Sequence, residues 1–150
     1  MAELRLQELN AQTAVAANGL MLKPGQEAFI EPETYTHAEG NLSPANSWPR
    51  VVLDGDAVVG YIMANFDAEA PEDYLRAALW RVNVAADAQG SGVGRFTVQA
   101  FADEARARGF HRATVVWASG EGGPEEFFKA VGFTIVGETP YGENLGALDL

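Results

Sequence analysis

Hydrophobic and polar positions change their period several times along the chain, and each change predicts a new element. Residues 3–9 (ELRLQEL) alternate like a half-buried strand, and residues 11–22 (AQTAVAANGLML) are typical of a helix. Within residues 50–66 (RVVLDGDAVVGYIMANF), two β-branched runs flank Asp54-Gly55-Asp56, which indicates a β-hairpin. Pro and Gly interrupt residues 23–49, so we expect one short helix and otherwise irregular structure there.

The second half of the chain alternates between strand and helix patterns. A strand is predicted to end at residues 79–84 (LWRVNV), and a helix to run from about Gly92 to Arg108 before Gly109. The residues expected to face the sheet from this helix are Val93, Phe96, Ala100, Phe101 and Ala105. The later elements are a strand at 113–118, a short helix from Pro124 and two closing strands at 133–138 and 145–150. The pattern predicts a mixed α/β fold with an antiparallel front half and a βαβ unit behind it.

Length and composition limit the class of protein. The 150 residues, 47% of them hydrophobic, suffice for one core, so we expect a single domain spanning 1–150. No apolar run reaches the roughly 18 residues of a membrane span, and no signal-peptide pattern opens the chain, so the expected location is the cytoplasm and no membrane partner is expected. The lack of cysteine excludes thiolate metal sites, and with only His37 and His111 we expect no metal.

Charge is unevenly distributed along the chain. The formal net charge is −11, which argues against nucleic acid as a partner because phosphate backbones attract lysine and arginine. Residues 27–73 contain ten acidic residues and one basic residue, Arg50, whereas residues 76–112 contain most of the positive charge. A cationic ligand fits this half better, although acidic loops that only maintain solubility are the alternative.

A glycine-rich turn, residues 89–94 (QGSGVG), separates the predicted strand from the predicted helix. Such turns bind phosphorylated ligands because backbone N–H groups and the positive end of a helix converge there. A nucleotide P-loop requires Lys followed by Ser or Thr after the last glycine, but Arg95-Phe96 follows here. A dinucleotide fingerprint would need its third glycine where Arg95 stands.

The third interpretation is a resemblance to a known family. Gln89-x-x-Gly92-x-Gly94 is similar to the pyrophosphate-binding motif of the GNAT superfamily of acetyl-coenzyme A-dependent N-acetyltransferases. The likeness continues from residue 79 to residue 138, where FFKAVGF resembles the family's Phe-Tyr-x-x-x-Gly-Phe. The segments LKPGQEAFIEPETYTHAEG, VVGYIMANF and GEGGPEEFF also resemble bacterial spermine/spermidine acetyltransferase-like proteins.

The resemblance implies a cofactor site for acetyl-coenzyme A and a GNAT fold, a mixed, mostly antiparallel sheet with helices on both faces. The glycine turn would bind the pyrophosphate, the strand before it would pair with the pantetheine amides where it diverges from strand 113–118, and the N–H of Val84 would polarise the thioester carbonyl. The implied cofactor-binding residues are Val82, Asn83, Val84, Gln89, Gly90, Ser91, Gly92, Val93, Gly94, Arg95 and Phe128. Lys129 and Arg95 are candidates for the 3′-phosphate of the cofactor.

The catalytic groups are less clearly indicated. Many relatives have a tyrosine at the position of Phe128, where it protonates the leaving thiolate, and Phe128 has no proton to give. Tyr141 is a candidate to replace it, and the alternative is a thiolate that leaves without help. Glu121 and His37 are candidates for a base that acts directly or through water, and a solvated surface position is the alternative for each.

The acceptor side is expected in the acidic N-terminal half. Glu27, Glu31 and Glu33 are candidates to bind a cationic amine, and Trp80 is a candidate to contact it. The predicted function is acetyl transfer to a small primary amine, with a polyamine as the first candidate and a homodimer left open. The alternative is a catalytically silent acyl-coenzyme A-binding module, which the absence of a hydroxyl at Phe128 keeps open.

Overall fold

The computed structural model describes residues 4–22, 44–120 and 123–150. Seven strands and three helices follow one another in the described part of the chain. The strands are β1 (Leu4–Glu8), β2 (Ser47–Asp54), β3 (Ala57–Phe66), β4 (Ala77–Val84), β5 (Arg112–Trp117), β6 (Thr134–Glu138) and β7 (Asn144–Asp149), and the helices are α1 (Ala11–Asn18), α2 (Val93–Ala107) and α3 (Glu125–Ala130). Short 3₁₀ turns precede β2 and β4 and follow β4.

All seven strands belong to one sheet in the order β1-β2-β3-β4-β5-β7-β6. Every neighbouring pair is antiparallel except β4 and β5, which are parallel and are connected through α2. This arrangement confirms the predicted mixed α/β fold, with the antiparallel front half and the βαβ unit behind it. The hairpin predicted at Asp54-Gly55-Asp56 joins β2 to β3, and Gly55 adopts the positive φ of +63° that such turns need.

Helix α1 is shorter than its pattern indicated. Asn10 caps it, since its side chain accepts a hydrogen bond from the Thr13 N–H and its own N–H donates to Thr13 Oγ1, both at 2.9 Å. The helix ends at Asn18 and is followed by Gly19, so residues 20–22 do not continue it. The region predicted to be irregular spans residues 23–49, and its residues 23–43 lie outside the described residues. Contrary to the prediction, its last residues belong to β2, which begins at Ser47.

Helix α2 packs against the sheet through a stripe that differs from the predicted one. Val93, Phe101 and Ala105 are buried as expected, but Phe96 and Ala100 are only partly covered. The buried stripe instead includes Thr97, Val98 and Ala102. Thr97 is tolerated there because its hydroxyl donates to the Val93 carbonyl at 2.7 Å, which leaves no unsatisfied donor in the core.

The main core lies between α2, α3 and one face of the sheet. Phe66 stacks on Phe101 at 5.8 Å between ring centroids and meets Trp48 edge-on at 6.0 Å. A second aromatic group joins Phe128, Phe133 and Trp117 at the C-terminal end of β5. Each buried aromatic side chain contributes about 2–3 kcal/mol through the area it removes from water, so these groups hold both helices against the sheet.

Candidate active site

Strands β4 and β5 separate soon after they begin to pair. Their parallel register contains only Ala78 opposite Thr114 and Leu79 opposite Val115. From Trp80 onward β4 remains paired with β3 alone, while β5 continues along β7. A cleft of about 440 Å³ opens at this point, and its walls are β4, the end of β5, the glycine turn and α3.

A β-bulge sets which side chains of β4 face each side of the sheet. Opposite β3, Met63 pairs with Arg81 and Ala64 pairs with Leu79, so Trp80 is the extra residue. The insertion of one residue reverses the alternation of side chains beyond it. Leu79 and Val82 therefore share the face packed against α2, as their contacts with the core confirm. Arg81 and Asn83 lie on the opposite face.

The backbone of β4 presents its amides to the cleft at alternate residues. The Ala85 N–H donates to the Val59 carbonyl at 2.9 Å. In an antiparallel pair the backbone groups of every second residue point to the partner strand, so those of Arg81, Asn83 and Ala85 point to β3. The N–H and C=O groups of Val82 and Val84 consequently face the side where β5 has moved away. This free strand edge suits the pairing of an extended ligand that contains amide groups.

Gln89 stabilises the end of that edge. Its side-chain Nε2 donates to the Val84 carbonyl at 2.9 Å, and this bond joins the last residue of β4 to the beginning of the glycine turn. The Val84 carbonyl is thus already bonded, whereas its N–H still faces the cleft. A backbone N–H in this position can donate to a carbonyl oxygen of a bound thioester.

The glycine turn has the conformation that its sequence requires. Gly90 and Gly92 adopt φ values of +81° and +91°, a region that other residues rarely enter. Gly92 is the N-cap of α2, and its carbonyl accepts the first helical bond from the Phe96 N–H at 2.9 Å. The N–H groups of Val93, Gly94 and Arg95 precede that first bond, so they have no partner within the helix and are suited to bind an anion.

The remaining wall of the cleft is aromatic. Phe128 is 7% exposed and stacks on Trp117 at 5.2 Å with an interplanar angle of 30°. A Cβ atom at Gly146 would lie 2.6 Å from Cζ3 of Trp117, so only glycine leaves room for the indole there. Trp117 Nε1 is buried and has no hydrogen-bond partner among the described residues.

Most of the cofactor-binding residues expected from the sequence line this cleft. They are Val82, Asn83, Val84, Gln89, Gly90, Gly92, Gly94, Arg95 and Phe128, together with Trp80, which was expected to contact the acceptor. Ser91 is exposed and its hydroxyl donates to the Ala88 carbonyl, and the Val93 side chain is buried in the core. Arg95 donates to the Ala130 carbonyl at 3.3 Å.

Other expected residues lie elsewhere. Tyr141 occupies the turn between β6 and β7, is 44% exposed and does not line the cleft. Lys129 forms an exposed ion pair with Glu125 at 3.2 Å instead of facing the cleft. Several candidates lie outside the described residues, namely Glu27, Glu31, Glu33, His37 and Glu121.

Sequence reasoning missed Arg81. Its side chain lines the cleft on the face opposite α2, and its positive charge is close enough to Tyr61 to oppose the increase in pKa that burial gives that phenol. The signal is hidden because Arg81 follows the bulge, so alternation counted from Leu79 places it in the core. Leu22, Phe127 and Val131 also line the cleft.

Residues 4–22, 44–120 and 123–150 contain neither a cluster of metal-binding side chains nor a membrane-spanning helix. No group of three or more His, Asp or Glu side chains is arranged to hold a metal ion there. None of the helices in these ranges has the length and apolar character needed to cross a bilayer.

Comparison with known proteins identifies the family and fold. The model of the acetyltransferase (GNAT) family matches residues 18–133. No curated protein sequence matches the chain significantly. Two similar solved structures are the PaiA N-acetyltransferase from Thermoplasma acidophilum in complex with coenzyme A (TM-score 0.71, 11% identity, 99% of both chains) and the ribosomal-protein-S18-alanine N-acetyltransferase from Escherichia coli (TM-score 0.67, 14% identity, 98% of this chain and 94% of that one).

A third similar structure is a GNAT family acetyltransferase from Elizabethkingia anophelis with acetyl-coenzyme A bound. Its TM-score is 0.63 at 11% identity, with 98% of each chain covered. At these identities the likeness concerns the fold.

Proposed function

Because the chain belongs to the acetyltransferase (GNAT) family, we propose that it acetylates a cationic primary amine, with polyamines as the first candidate class. The chain is an acetyl-coenzyme A-dependent N-acetyltransferase. The cationic acceptor rests on the segregation of charge, ten acidic residues against Arg50 alone between positions 27 and 73. Such a region attracts ammonium groups and raises their local concentration.

For the cofactor, we propose that the N–H groups at the start of α2 bind the pyrophosphate and that Val82 and Val84 pair with the pantetheine amides. The observation in favour is the free edge of β4 next to the positive-φ glycines Gly90 and Gly92. Phe128 would contact the arm of the cofactor from the aromatic wall. The Val84 N–H would polarise the thioester carbonyl, because it faces the cleft at the end of the strand.

For the reaction, we propose direct attack of the neutral amine nitrogen on the thioester carbonyl carbon within a ternary complex. A carbon–nitrogen bond forms and the carbon–sulfur bond breaks. The amine loses one proton and the thiolate gains one. Glu121 is the proposed base or water-positioning group. Tyr141 does not line the cleft, so it acts as the proton donor only if the β6–β7 turn moves toward the cleft when the cofactor binds.

A second acceptor class has one observation in its favour. Arg81 places a guanidinium on the cleft, and this group binds carboxylates with good geometry. An amine that also carries a carboxylate, such as an amino acid, would use that charge. The two classes make opposite predictions about which amines react.

One assay tests the proposal. Thiol release from acetyl-coenzyme A is measured with spermidine, spermine, diaminobutane, butylamine and glutamate. We expect the polyamines to react best, with a KM that rises with salt more than the KM for acetyl-coenzyme A does, because salt screens exposed charges over about 10 Å at 0.1 M. Inert polyamines beside a reactive glutamate would replace the polyamine proposal with the amino-acid one.

A further inference from the structure

Trp117 carries a hydrogen-bond donor that the described structure leaves unpaired. The residue is 1% exposed, and its indole Nε1 is buried with no hydrogen-bond partner among residues 4–22, 44–120 and 123–150. Most buried donors in folded proteins are paired, because removing an N–H from water without a partner is costly. Since Trp117 also lines the cleft, a ligand bound there can supply the acceptor.

The indole is oriented by its contact with β7. A Cβ atom at Gly146 would lie 2.6 Å from Cζ3 and 3.0 Å from Cη2, so the six-membered ring of the indole lies over Gly146. The five-membered ring, which carries Nε1, is at the other end of the indole. Strand β5 lies between β7 and β4 in the sheet. The N–H is therefore on the side of the indole away from β7, and β4 and the cleft lie in that direction.

Trp117 and Val82 lie on opposite sides of the cleft. Leu79 pairs with Val115 in the last step of the β4–β5 register. On the face packed against α2, the next residue of β4 is Val82, because of the bulge, and the next residue of β5 is Trp117. The two residues are therefore at the same level of the sheet, across the gap between their strands. Both of them line the cleft.

The part of the cleft wall next to Trp117 is apolar. Phe128 stacks on the indole at 5.2 Å, and Phe127 and Val131 line the cleft beside it. Among these four side chains, only that of Trp117 carries a hydrogen-bond donor. A hydrogen bond to a charged atom is stronger in such surroundings than in water, because the local dielectric is low.

We propose that the indole N–H of Trp117 donates a hydrogen bond to the thioester sulfur and stabilises the thiolate as it leaves. The assignment rests on the proposed function, in which the cofactor lies along β4. In that placement the thioester oxygen is directed at the Val84 N–H. A donor on the opposite wall of the cleft is then left with the sulfur atom.

Negative charge collects on this sulfur during the reaction. When the carbon–sulfur bond breaks, its electron pair stays on the sulfur, and a donor that is already in place stabilises the charge without reorganising. The indole keeps its own proton, because it acts as a donor only and is far too weak an acid to protonate a thiolate. The proton that the thiolate gains comes from water or another group. Trp117 thus supplies a polar contact beside Phe128, whose ring has no proton to give.

The first experiment removes the N–H and keeps the shape of the ring. Site-specific replacement of Trp117 by β-(3-benzothienyl)alanine exchanges the N–H for a sulfur atom in a bicyclic ring of nearly the same size. With the best amine of the panel, we expect kcat to fall about tenfold to hundredfold, the usual loss for a hydrogen bond to a charged group. The KM for acetyl-coenzyme A should stay nearly unchanged.

The matched control is the same replacement at Trp48, a buried tryptophan of the other aromatic group, which should alter neither value. Trp117→Phe also removes the N–H and keeps a phenyl ring against Phe128. It should lower kcat by at least as much as the benzothienyl replacement. Thermal unfolding of each variant identifies any that does not fold.

The second experiment observes the N–H itself in the unaltered protein, without turnover. The ¹⁵N-labelled chain has 3 tryptophans, and Trp117→Phe identifies which indole resonance belongs to Trp117. With coenzyme A bound, we expect the indole proton to move downfield as the pH rises through the pKa of the cofactor thiol, because a thiolate accepts more strongly than a thiol. The S-methyl derivative of coenzyme A does not ionise at sulfur, so it should give no such pH dependence.

A structural role for Trp117 gives a different pattern. If the benzothienyl replacement leaves kcat unchanged, or weakens the binding of acetyl-coenzyme A with kcat unchanged, Nε1 does not contact the reacting sulfur and the assignment is overturned. An indole resonance that behaves alike with coenzyme A and with its S-methyl derivative overturns it too. This second measurement decides even where every variant fails to fold, because the resonance is then assigned by through-bond experiments on the unaltered protein.

The assignment and the proposed function can fail separately. If the Trp117 resonance follows the thiol but no amine of the panel is acetylated, the proposed function fails and the contact with sulfur stands. If polyamines are acetylated and the benzothienyl replacement leaves kcat unchanged, the contact alone is wrong. If coenzyme A does not bind at all, both are overturned.

Discussion

Gly94 and Phe127 are in such close contact that a Cβ atom on Gly94 would lie 2.8 Å from Cε1 of the phenyl ring. The contact joins the first turn of α2 to α3, and both residues line the cleft. The need for glycine at this position is therefore a matter of helix packing. Gly92 differs, because no atom lies within 4 Å of a Cβ added there. Glycine is needed at this position only because the backbone φ is positive.

The contact between Gly94 and Phe127 predicts that a smaller side chain at position 127 compensates for a larger one at position 94. Gly94→Ala should push the phenyl ring and α3 away and weaken coenzyme A binding about tenfold, because overpacking of this kind costs about 1–3 kcal/mol. Phe127→Leu added to Gly94→Ala should restore much of the affinity. Calorimetry with coenzyme A is the measurement. Gly137→Ala is the control, since no atom lies within 4 Å of its added Cβ. Equal affinity in Gly94→Ala and the unaltered protein would contradict the packing argument.

At Gly92 we predict that the backbone conformation of the residue, and not its packing, determines the affinity for coenzyme A. Gly92→Val should lose most coenzyme A binding, because a β-branched residue strongly disfavours φ of +91° and the N–H groups of the turn would move. Gly92→Asn should retain more affinity than Gly92→Val, since asparagine tolerates the left-handed region better. The measurement is again calorimetry. Unchanged binding in Gly92→Val would remove the glycine turn from the cofactor site.

Phe128 predicts a gain of activity. Its ring lines the cleft and stacks on Trp117, so Phe128→Tyr would add a hydroxyl at the aromatic wall with little change in packing. If thiolate protonation limits the rate, kcat should rise about tenfold or more, and Phe128→Leu should give no such rise. The measurement is kcat across a range of pH. A folded Phe128→Tyr enzyme with the kcat of the unaltered protein would contradict the expectation that thiolate protonation limits the rate.

The burial of Tyr61 predicts that the free energy of unfolding depends on pH in the alkaline range. Burial raises the pKa of its phenol above the usual value of about 10, against the opposing charge of Arg81. The folded state therefore keeps this proton longer than the unfolded state does. The resulting stabilisation is complete below about pH 10 and is lost as the pH rises through the pKa of the folded state.

In Tyr61→Phe this contribution disappears, so the free energy of unfolding should fall less steeply above about pH 10 than in the unaltered protein. Some decrease should remain, because burial and Glu72 raise the pKa of Tyr74 as well. Urea unfolding at a series of pH values measures both curves. Parallel curves would show that Tyr61 titrates alike in the folded and unfolded states.

The features that could be predicted correctly from the sequence depend on residues that are close together in the chain. The turn at Gly55 follows from its local preference for positive φ, and the start of α2 follows from the glycines before it. The hydrophobic period of α2 indicated the helix but misplaced part of its buried stripe. Thr97 is buried because of a bond to the Val93 carbonyl that hydrophobicity alone does not show.

Within residues 4–22, 44–120 and 123–150, tertiary structure decided the features that make the cleft. Trp80 becomes a bulge only through the register with β3, and this places Arg81 on the face opposite α2. Likewise, the pattern of residues 79–84 does not show where β4 leaves β5. The sequence by itself determined the elements, their turns and the glycine-rich motif, because these depend on local backbone preferences and hydrophobic period. The cleft and its charged walls depend on pairing between strands distant in the chain, where a shift of one residue moves a side chain to the other face.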